Sequence, residues 1–301
     1  MKHLLKLLDC TGEEITELLD LAAKIKADEK NGVRVPYLQG KTLGMIFAKS
    51  STRTRVSFEV GMYQLGGYPL YLNSANTQLG RGEPVRDTAR VLSRYLDGII
   101  IRTFEQEEVE ELAKWGSIPV VNALTDFAHP MQVLADLLTV REHKGKLKGL
   151  KLAFVGDGNN MANSLIVGCL KVGMKIAVAC PKGYRPAEEV LKFAEGNPDF
   201  ELYEKPEDAM RGADVVYTDV WTSMGQEEER EKRAAAFEGY CISEENMALT
   251  NDGCMVLHCL PAHRGEEITE GVLEAHADEI FDEAENRLHA QKAVLVKLMT
   301  N

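Results

Sequence analysis

Short apolar runs, set between stretches of helical period, constrain this chain more than any other feature. The runs at 42–48, 69–72, 98–101, 118–122, 150–155, 174–180, 200–204, 214–218 and 255–259 have the length and composition of buried strands. Between them the sequence turns helical. Thr11-Gly-Glu-Glu14 is a capping box, followed by Ile15, Leu18, Leu19, Ala22 and Ile25 at helical spacing. Pro84 opens a helix expected to turn Val85, Thr88, Val91, Leu92 and Tyr95 inward, and 107–115 and 130–144 read as further helices. Regular alternation of this kind predicts an α/β protein whose sheets are mostly parallel, with helices on both faces. At 301 residues there is chain enough for two such domains. Lys144-Gly-Lys-Leu-Lys-Gly149 reads as a pause, so the expected division is 1–144 and 145–285, two doubly wound domains linked by interdomain helices. The long amphipathic stretch 282–299 is expected to bring 286–301 back onto the first half.

The residues that carry chemistry gather just past strand ends. Lys49-Ser50-Ser51-Thr52-Arg53-Thr54-Arg55-Val56-Ser57-Phe58 follows the 42–48 run, and Val56, Phe58, Val60, Met62 and Leu65 are spaced as a helix rather than a strand. The first amide N–H groups of a helix lack intrahelical partners and its dipole is positive there, which favours an anion. Ser51, Thr52 and Thr54 add hydroxyl donors, and Arg53 adds a planar fork suited to phosphate oxygens. Ordinary capping needs one hydroxyl. It explains neither the crowd of them nor two arginines placed where the dipole repels cations. The stretch reads as a phosphate site.

Composition then excludes classes. A net charge of −12 argues against a general nucleic-acid or anionic-membrane surface, and it makes a local basic cluster more informative. No apolar run approaches the roughly 20 residues that span a bilayer, and the first residues show no signal-peptide pattern. Six cysteines without a Cys-x-x-Cys read as reduced thiols. The expectation is a soluble, cytoplasmic protein that needs no metal or cofactor. Gly156-Asp-Gly-Asn-Asn160 after a strand suggests a dinucleotide fingerprint, but Met161 stands where the third glycine belongs and the next strand ends in Cys180-Pro181 rather than an acid. A metal reading of His258, Cys259 and His263 is opposed by the alternation of side chains along a strand.

Further clusters share the strand-end position. His129-Pro130-Met131-Gln132 can donate to a carbonyl oxygen and hold an amide in both senses, although it also fits a plain helix start. Arg102 closes a strand, where ligands meet an open α/β sheet. Asp219-Val-Trp-Thr-Ser223-Met224-Gly225 and His258-Cys259-Leu260-Pro261 follow later strands; their plain readings are a surface loop and a strand end with a buried cysteine.

Together these motifs resemble the aspartate and ornithine carbamoyltransferase family, in order, from the first helix to Glu285-Asn286-Arg287. Ser-x-Arg-Thr-Arg resembles its carbamoyl-phosphate signature. The 219–225 loop and His-Cys-Leu-Pro resemble the ornithine side of the family, as does Gln78 where aspartate enzymes carry lysine. The resemblance implies that 1–144 with 286–301 binds carbamoyl phosphate and 145–285 binds ornithine, giving citrulline and phosphate without a covalent enzyme intermediate. It implies that Ser51, Thr52, Arg53 and Thr54 hold the phosphate, and that Arg102, His129 and Gln132 grip the carbamoyl end. Cys259 and Leu260 would border the reacting centre and Arg287 would reach back to carbamoyl phosphate. Asn160, Asp219, Ser223 and Met224 would hold ornithine. Arg102, His129, Asp219 and Cys259 are the catalytic candidates, with the amine proton going to Cys259 or to the leaving phosphate. Gln78 would come from a neighbouring subunit, which implies a homotrimer with shared sites, open to higher assembly. Putrescine, an N-acylated ornithine, or mere binding of a phosphate compound are the alternatives.

Overall fold

The computed structural model of the chain describes residues 1–223 and 227–300. Its elements are α1 (Gly12–Lys30), β1 (Thr42–Phe47), α2 (Thr52–Gln64), β2 (Tyr68–Asn73), α3 (Val85–Leu92), β3 (Gly98–Arg102), α4 (Gln106–Trp115), β4 (Val120–Leu124) and α5 (Pro130–Lys144). The chain continues with β5 (Lys151–Val155), α6 (Asn160–Lys171), β6 (Lys175–Ala179), α7 (Glu188–Ala194), β7 (Phe200–Tyr203), α8 (Pro206–Met210), β8 (Val215–Thr218), α9 (Arg230–Ala236), α10 (Glu244–Met247), β9 (Met255–His258), α11 (Glu270–Ala275) and α12 (Ala277–Met299). Two compact units result, Met1–Ala135 with Asn286–Asn301 and Asp136–Glu285, so their boundaries fall inside α5 and α12.

The first unit holds a four-stranded parallel sheet in the order β2-β1-β3-β4. From β1 the chain steps outward to β2, then returns to the other side of β1 for β3 and β4. Since parallel crossovers are right-handed, this reversal puts the connecting helices on opposite faces and opens a crevice at the carboxyl ends of β1 and β3. Ile46, Ile99, Ile101, Val109, Leu112 and Val120 build the core against α3 and α4. Each such side chain contributes about 1.5–3 kcal/mol by leaving water.

The second unit repeats the plan with five parallel strands, β7-β6-β5-β8-β9, and its reversal lies between β5 and β8. Val155, Ala177, Val216, Phe237, Ile242, Val256 and Ile268 form a core there. The predicted α/β class with two parallel sheets is what the structure has.

Several local expectations change. On α2 the buried face is Thr54, Phe58, Gly61 and Met62, while Val56 and Val60 face outward. Val91 is exposed because the buried face of α3 is Thr88 and Ala89, and Tyr95 is exposed beyond the helix, which stops at Leu92. The fourth strand begins after Pro119, which has no N–H to give a ladder. The 73–83 segment contains two 3-10 turns, Ser74–Asn76 and Leu79–Arg81. From Asn286 on, α12 is not amphipathic but buried almost all round, and several of its polar groups are paired inside the unit. Lys26 donates to Asn286 at 2.8 Å, and Lys292 donates to Gln64 at 2.8 Å and pairs with Glu29. Among the described residues, no helix is long and apolar enough to cross a membrane.

Candidate active site

In the first unit the strand-order reversal brings the end of β1 beside the end of β3, and functional side chains meet there. Ser51 is the N-cap of α2, and its Oγ accepts the Thr54 N–H at 3.2 Å while lying 3.1 Å from Thr54 Oγ1. Thr54 is buried. Its hydroxyl oxygen accepts from Arg287 Nη2 at 3.3 Å and, more weakly, from Arg102 Nη1 at 3.5 Å. Arg287 Nη1 donates to Gln132 Oε1 at 2.6 Å. Two buried guanidinium groups thus converge on a hydroxyl at a helix N-terminus, a strongly positive place.

His129, at the end of the segment that leads into α5, is buried in the same unit. Burial, then the charges of Arg287 and Arg102, holds its pKa well below the ordinary value of 6.5, so the ring stays neutral and can donate N–H to a carbonyl oxygen. Thr52 and Arg53 are exposed on the first turn of α2. Arg55 belongs elsewhere: its Nε donates to Glu59 at 3.0 Å and its guanidinium lies 3.8 Å from the centre of the Tyr71 ring. Lys49, which the sequence reading did not single out, is buried over the Phe104 ring at 4.2 Å and pairs with Asp126. Gln78 is exposed in the 73–83 segment and is not among the residues that meet at Thr54.

In the second unit the reversal joins the ends of β5 and β8. Asn159 caps α6, accepting the Met161 N–H at 2.9 Å and the Ala162 N–H at 3.3 Å, and donates Nδ2–H to Asp219 Oδ2 at 2.9 Å. Asp219 Oδ1 accepts the Val220 N–H at 2.8 Å and the Cys259 thiol at 3.1 Å. Loss of water around that thiol, then the negative charges of Asp219 and Glu283, pushes the Cys259 pKa well above the ordinary thiol range. Cys259 is therefore a proton donor here. Asn160 opens α6 and Ser223 is half-buried; Met224 lies outside the described residues.

Two side chains brace this site, one missed by sequence reasoning and one read there only as a member of the His-Cys-Leu-Pro cluster. Arg233 on α9 is buried, pairs with Asp157 at 2.7 Å, donates to the Trp221 carbonyl at 3.0 Å and lies 5.1 Å from the Tyr184 ring centre. Burial raises the Asp157 pKa, with Asp219 and Glu229 adding to the rise and Arg233 opposing it. A cation buried among carboxylates leaves little trace in the sequence of the 226–233 charge run. His258 is the second. Its Nδ1 accepts the Leu260 N–H at 2.9 Å and its Nε2 pairs with Glu267 at 3.0 Å. That anchors Leu260 at φ +57°, a left-handed conformation costing about 1–2 kcal/mol for a residue with a Cβ. Asp219, His258 and Cys259 have ligand atoms close enough for an ion, but both ring nitrogens of His258 already have partners. Gly158 has a packing reason: a Cβ there would come within 2.3 Å of the Arg185 and Pro186 backbone. The glycines of the 156–158 turn need no nucleotide to explain them.

Residues 2–142 match the carbamoyl-P binding domain of the aspartate/ornithine carbamoyltransferases, and residues 148–298 match their Asp/Orn binding domain. The chain belongs to the aspartate/ornithine carbamoyltransferase family. Within that family, ornithine carbamoyltransferases of Carboxydothermus hydrogenoformans and Geobacter sulfurreducens are each 54% identical to it, over 99% of this chain and 97% and 99% of theirs. Among solved family structures, ornithine carbamoyltransferase from Pyrococcus furiosus superposes with a TM-score of 0.94 at 50% identity, covering 99% of this chain and 97% of that one. The enzyme from Gloeobacter violaceus gives 0.89 at 52% identity, with 99% of both chains covered.

Proposed function

We propose that this chain transfers the carbamoyl group of carbamoyl phosphate to the side-chain amine of L-ornithine, giving L-citrulline and phosphate. The observation that carries the reading is the pair of strand-end sites of opposite charge. Arg102 and Arg287 at the α2 N-terminus suit a phosphate compound, and Asp219 with Asp157 suits an acceptor that arrives as a cation. Aspartate, a dianion at its carboxylates, would meet like charge there.

In this reading Ser51, Thr52, Arg53 and Thr54 hold the phosphate oxygens, and Arg102, neutral His129 and Thr54 donate to the carbonyl oxygen as charge builds on it. Gln132 holds the carbamoyl amide, and Arg287, which already ties Gln132 to Thr54, supports both ends. Asp219, with Asn160, Ser223 and Met224, holds ornithine. Cys259 and Leu260 border the reacting carbon. The neutral amine attacks the carbonyl carbon; as the C–N bond forms and the C–O bond to phosphate breaks, an N–H proton passes to a phosphate oxygen. With the Cys259 thiol held protonated, the departing phosphate is the base this arrangement offers. Holding both substrates in reacting geometry supplies much of the rate.

The 1–144 segment with 286–301 is the carbamoyl-phosphate domain of this scheme and 145–285 the ornithine domain. A homotrimer with Gln78 entering the neighbouring site completes it. The support is an outward apolar stripe, Val56, Val60 and Tyr63 on α2 with Tyr68 and Leu70 on the outer strand β2. Mixed oligomers of a Gln78→Ala and an Arg102→Met chain should recover activity that neither variant has alone. The cysteines are free, in keeping with a reducing cytoplasm.

The test is citrulline formation from carbamoyl phosphate with ornithine, putrescine, N-acetylornithine and aspartate as competing acceptors. Ornithine is expected to win. Preference for another amine would discard the reading of the Asp219 site, and no turnover in folded protein would discard the enzyme.

A further inference from the structure

Among the described residues, β9 is the outer strand of the second sheet and pairs on one side only, with β8. In a parallel strand, successive residues direct their N–H and C=O groups to opposite sides. Met255 N–H donates to the Asp214 carbonyl at 3.0 Å, so Met255 and Leu257 face β8 while Val256 and His258 face outward. An outer strand would leave those two N–H groups without a strand partner. α12 supplies the acceptors instead. Glu279 Oε2 accepts the Val256 N–H at 2.9 Å, and Glu283 Oε2 accepts the His258 N–H at 2.8 Å. The spacing fits, because four residues of helix advance about 6 Å and two residues of strand about 6.6 Å. One turn of helix stands in for a further strand, at the end of β9 that carries Cys259.

Glu283 is built into this place. It is fully buried, its other oxygen accepts the Tyr217 hydroxyl at 3.1 Å, and the Asp136 carboxyl of α5 hydrogen-bonds to it. Burial raises the Glu283 pKa, and the hydrogen bonds with Asp136, the His258 N–H and Tyr217 oppose that rise; in either protonation state Glu283 keeps an acceptor oxygen for the His258 N–H. His258 in turn holds the Leu260 N–H, and the intervening Cys259 places its thiol on Asp219.

We infer that Glu283 is a positioning residue for the reaction: by fixing the His258 N–H it sets where β9 ends, and through that the Cys259 thiol and the Leu260 turn. It touches neither substrate in this scheme. The role presupposes the carbamoyl transfer proposed above, so its test has one arm that reads activity and one that does not. In the full-length protein, Glu283→Ala is expected to lower kcat/KM for ornithine at least about tenfold, as small misplacements of reacting groups do, and to leave KM for carbamoyl phosphate within about twofold. Glu283→Gln keeps an acceptor oxygen and should recover most of the loss. In the second arm, alkylation by iodoacetamide is followed at each cysteine by peptide mapping. Glu283→Ala should speed modification of Cys259 about tenfold or more, since its hydrogen bond to Asp219 is lost and a nearby negative charge is removed. Cys241, half-buried in the same unit, serves as the reference and should not change.

If Cys259 and Cys241 speed up together, the effect is general loosening and the inference is wrong. It is equally wrong if Cys259 is modified as in the wild type, whatever the kinetics do. Should Glu283→Ala fail to fold, Glu283→Asp, one methylene short of the strand, carries the same expectations. Absence of citrulline formation by the wild type would remove the enzyme reading, while the labelling arm would still report on Cys259.

Discussion

The two strand-order reversals make an instructive pair. Each lies in a parallel sheet, each places a helix start beside a strand end, and each gathers buried polar side chains. Their charges are opposite. At β1/β3 Arg102 and Arg287 surround the Thr54 hydroxyl; at β5/β8 Asp219 is held by Asn159, Val220 and Cys259 with Asp157 nearby. Topology supplies the crevice, and a few side chains at its rim set the sign of its charge.

The comparison breaks most sharply at Arg102. Arg102→Met removes a buried cation from the positive site and should cost about 3–5 kcal/mol, roughly two to four decades in kcat/KM, as removal of one partner from a buried charged set does. Steady-state kinetics with varied carbamoyl phosphate checks it. Asp219→Asn keeps shape and removes the charge of the other site. About 2–4 kcal/mol, or some 30- to 1,000-fold in kcat/KM for ornithine, is expected, while the affinity of free enzyme for carbamoyl phosphate stays within about twofold. Arg233→Met leaves Asp157 buried without its cation, and about 2–3 kcal/mol of stability should go, read as a lower denaturant midpoint at unchanged slope.

A smaller effect separates the sites by pH. His129 has a folded-state pKa below its ordinary 6.5, so above that value both folded and unfolded states hold the ring neutral and it contributes no slope. As pH falls below 6.5 the unfolded chain takes up the proton first, and stability drops by up to about 1.4 kcal/mol per pH unit. His129→Asn should flatten that part of the acid limb in denaturation curves taken between pH 4 and 7. An unchanged limb would mean that His129 is not held neutral by its buried, cationic setting.

How much of this was legible in the sequence differs between the sites for physical reasons. The central strands could be read because they lie inside the cores and are largely apolar, while the outer strands β2 and β7 are only partly buried. Thr54 and Ser51 could be read because helix starts have a local chemistry. Arg287 could not be derived from local pattern, since its partner Thr54 is 233 residues away and only resemblance linked them. Val56 and Val60 have the right spacing for a core helix but face outward, because periodicity marks a stripe without saying what covers it. Asn159 and Asn160 look alike in sequence; only geometry shows Asn159 capping α6 and holding Asp219. Glu283 is one acid in an acid-rich stretch, and nothing short of the β9 edge reveals its use.

The central claim is that the two sites are of opposite sign and that the basic one takes the anion. The measurement that tests it most directly is calorimetric binding of carbamoyl phosphate to the wild type, Arg102→Met and Asp219→Asn. The account predicts a loss of about a hundredfold or more in Arg102→Met and a change within about twofold in Asp219→Asn. Equal losses in both variants would contradict it, because the anion would then depend on the acidic site as much as on the basic one.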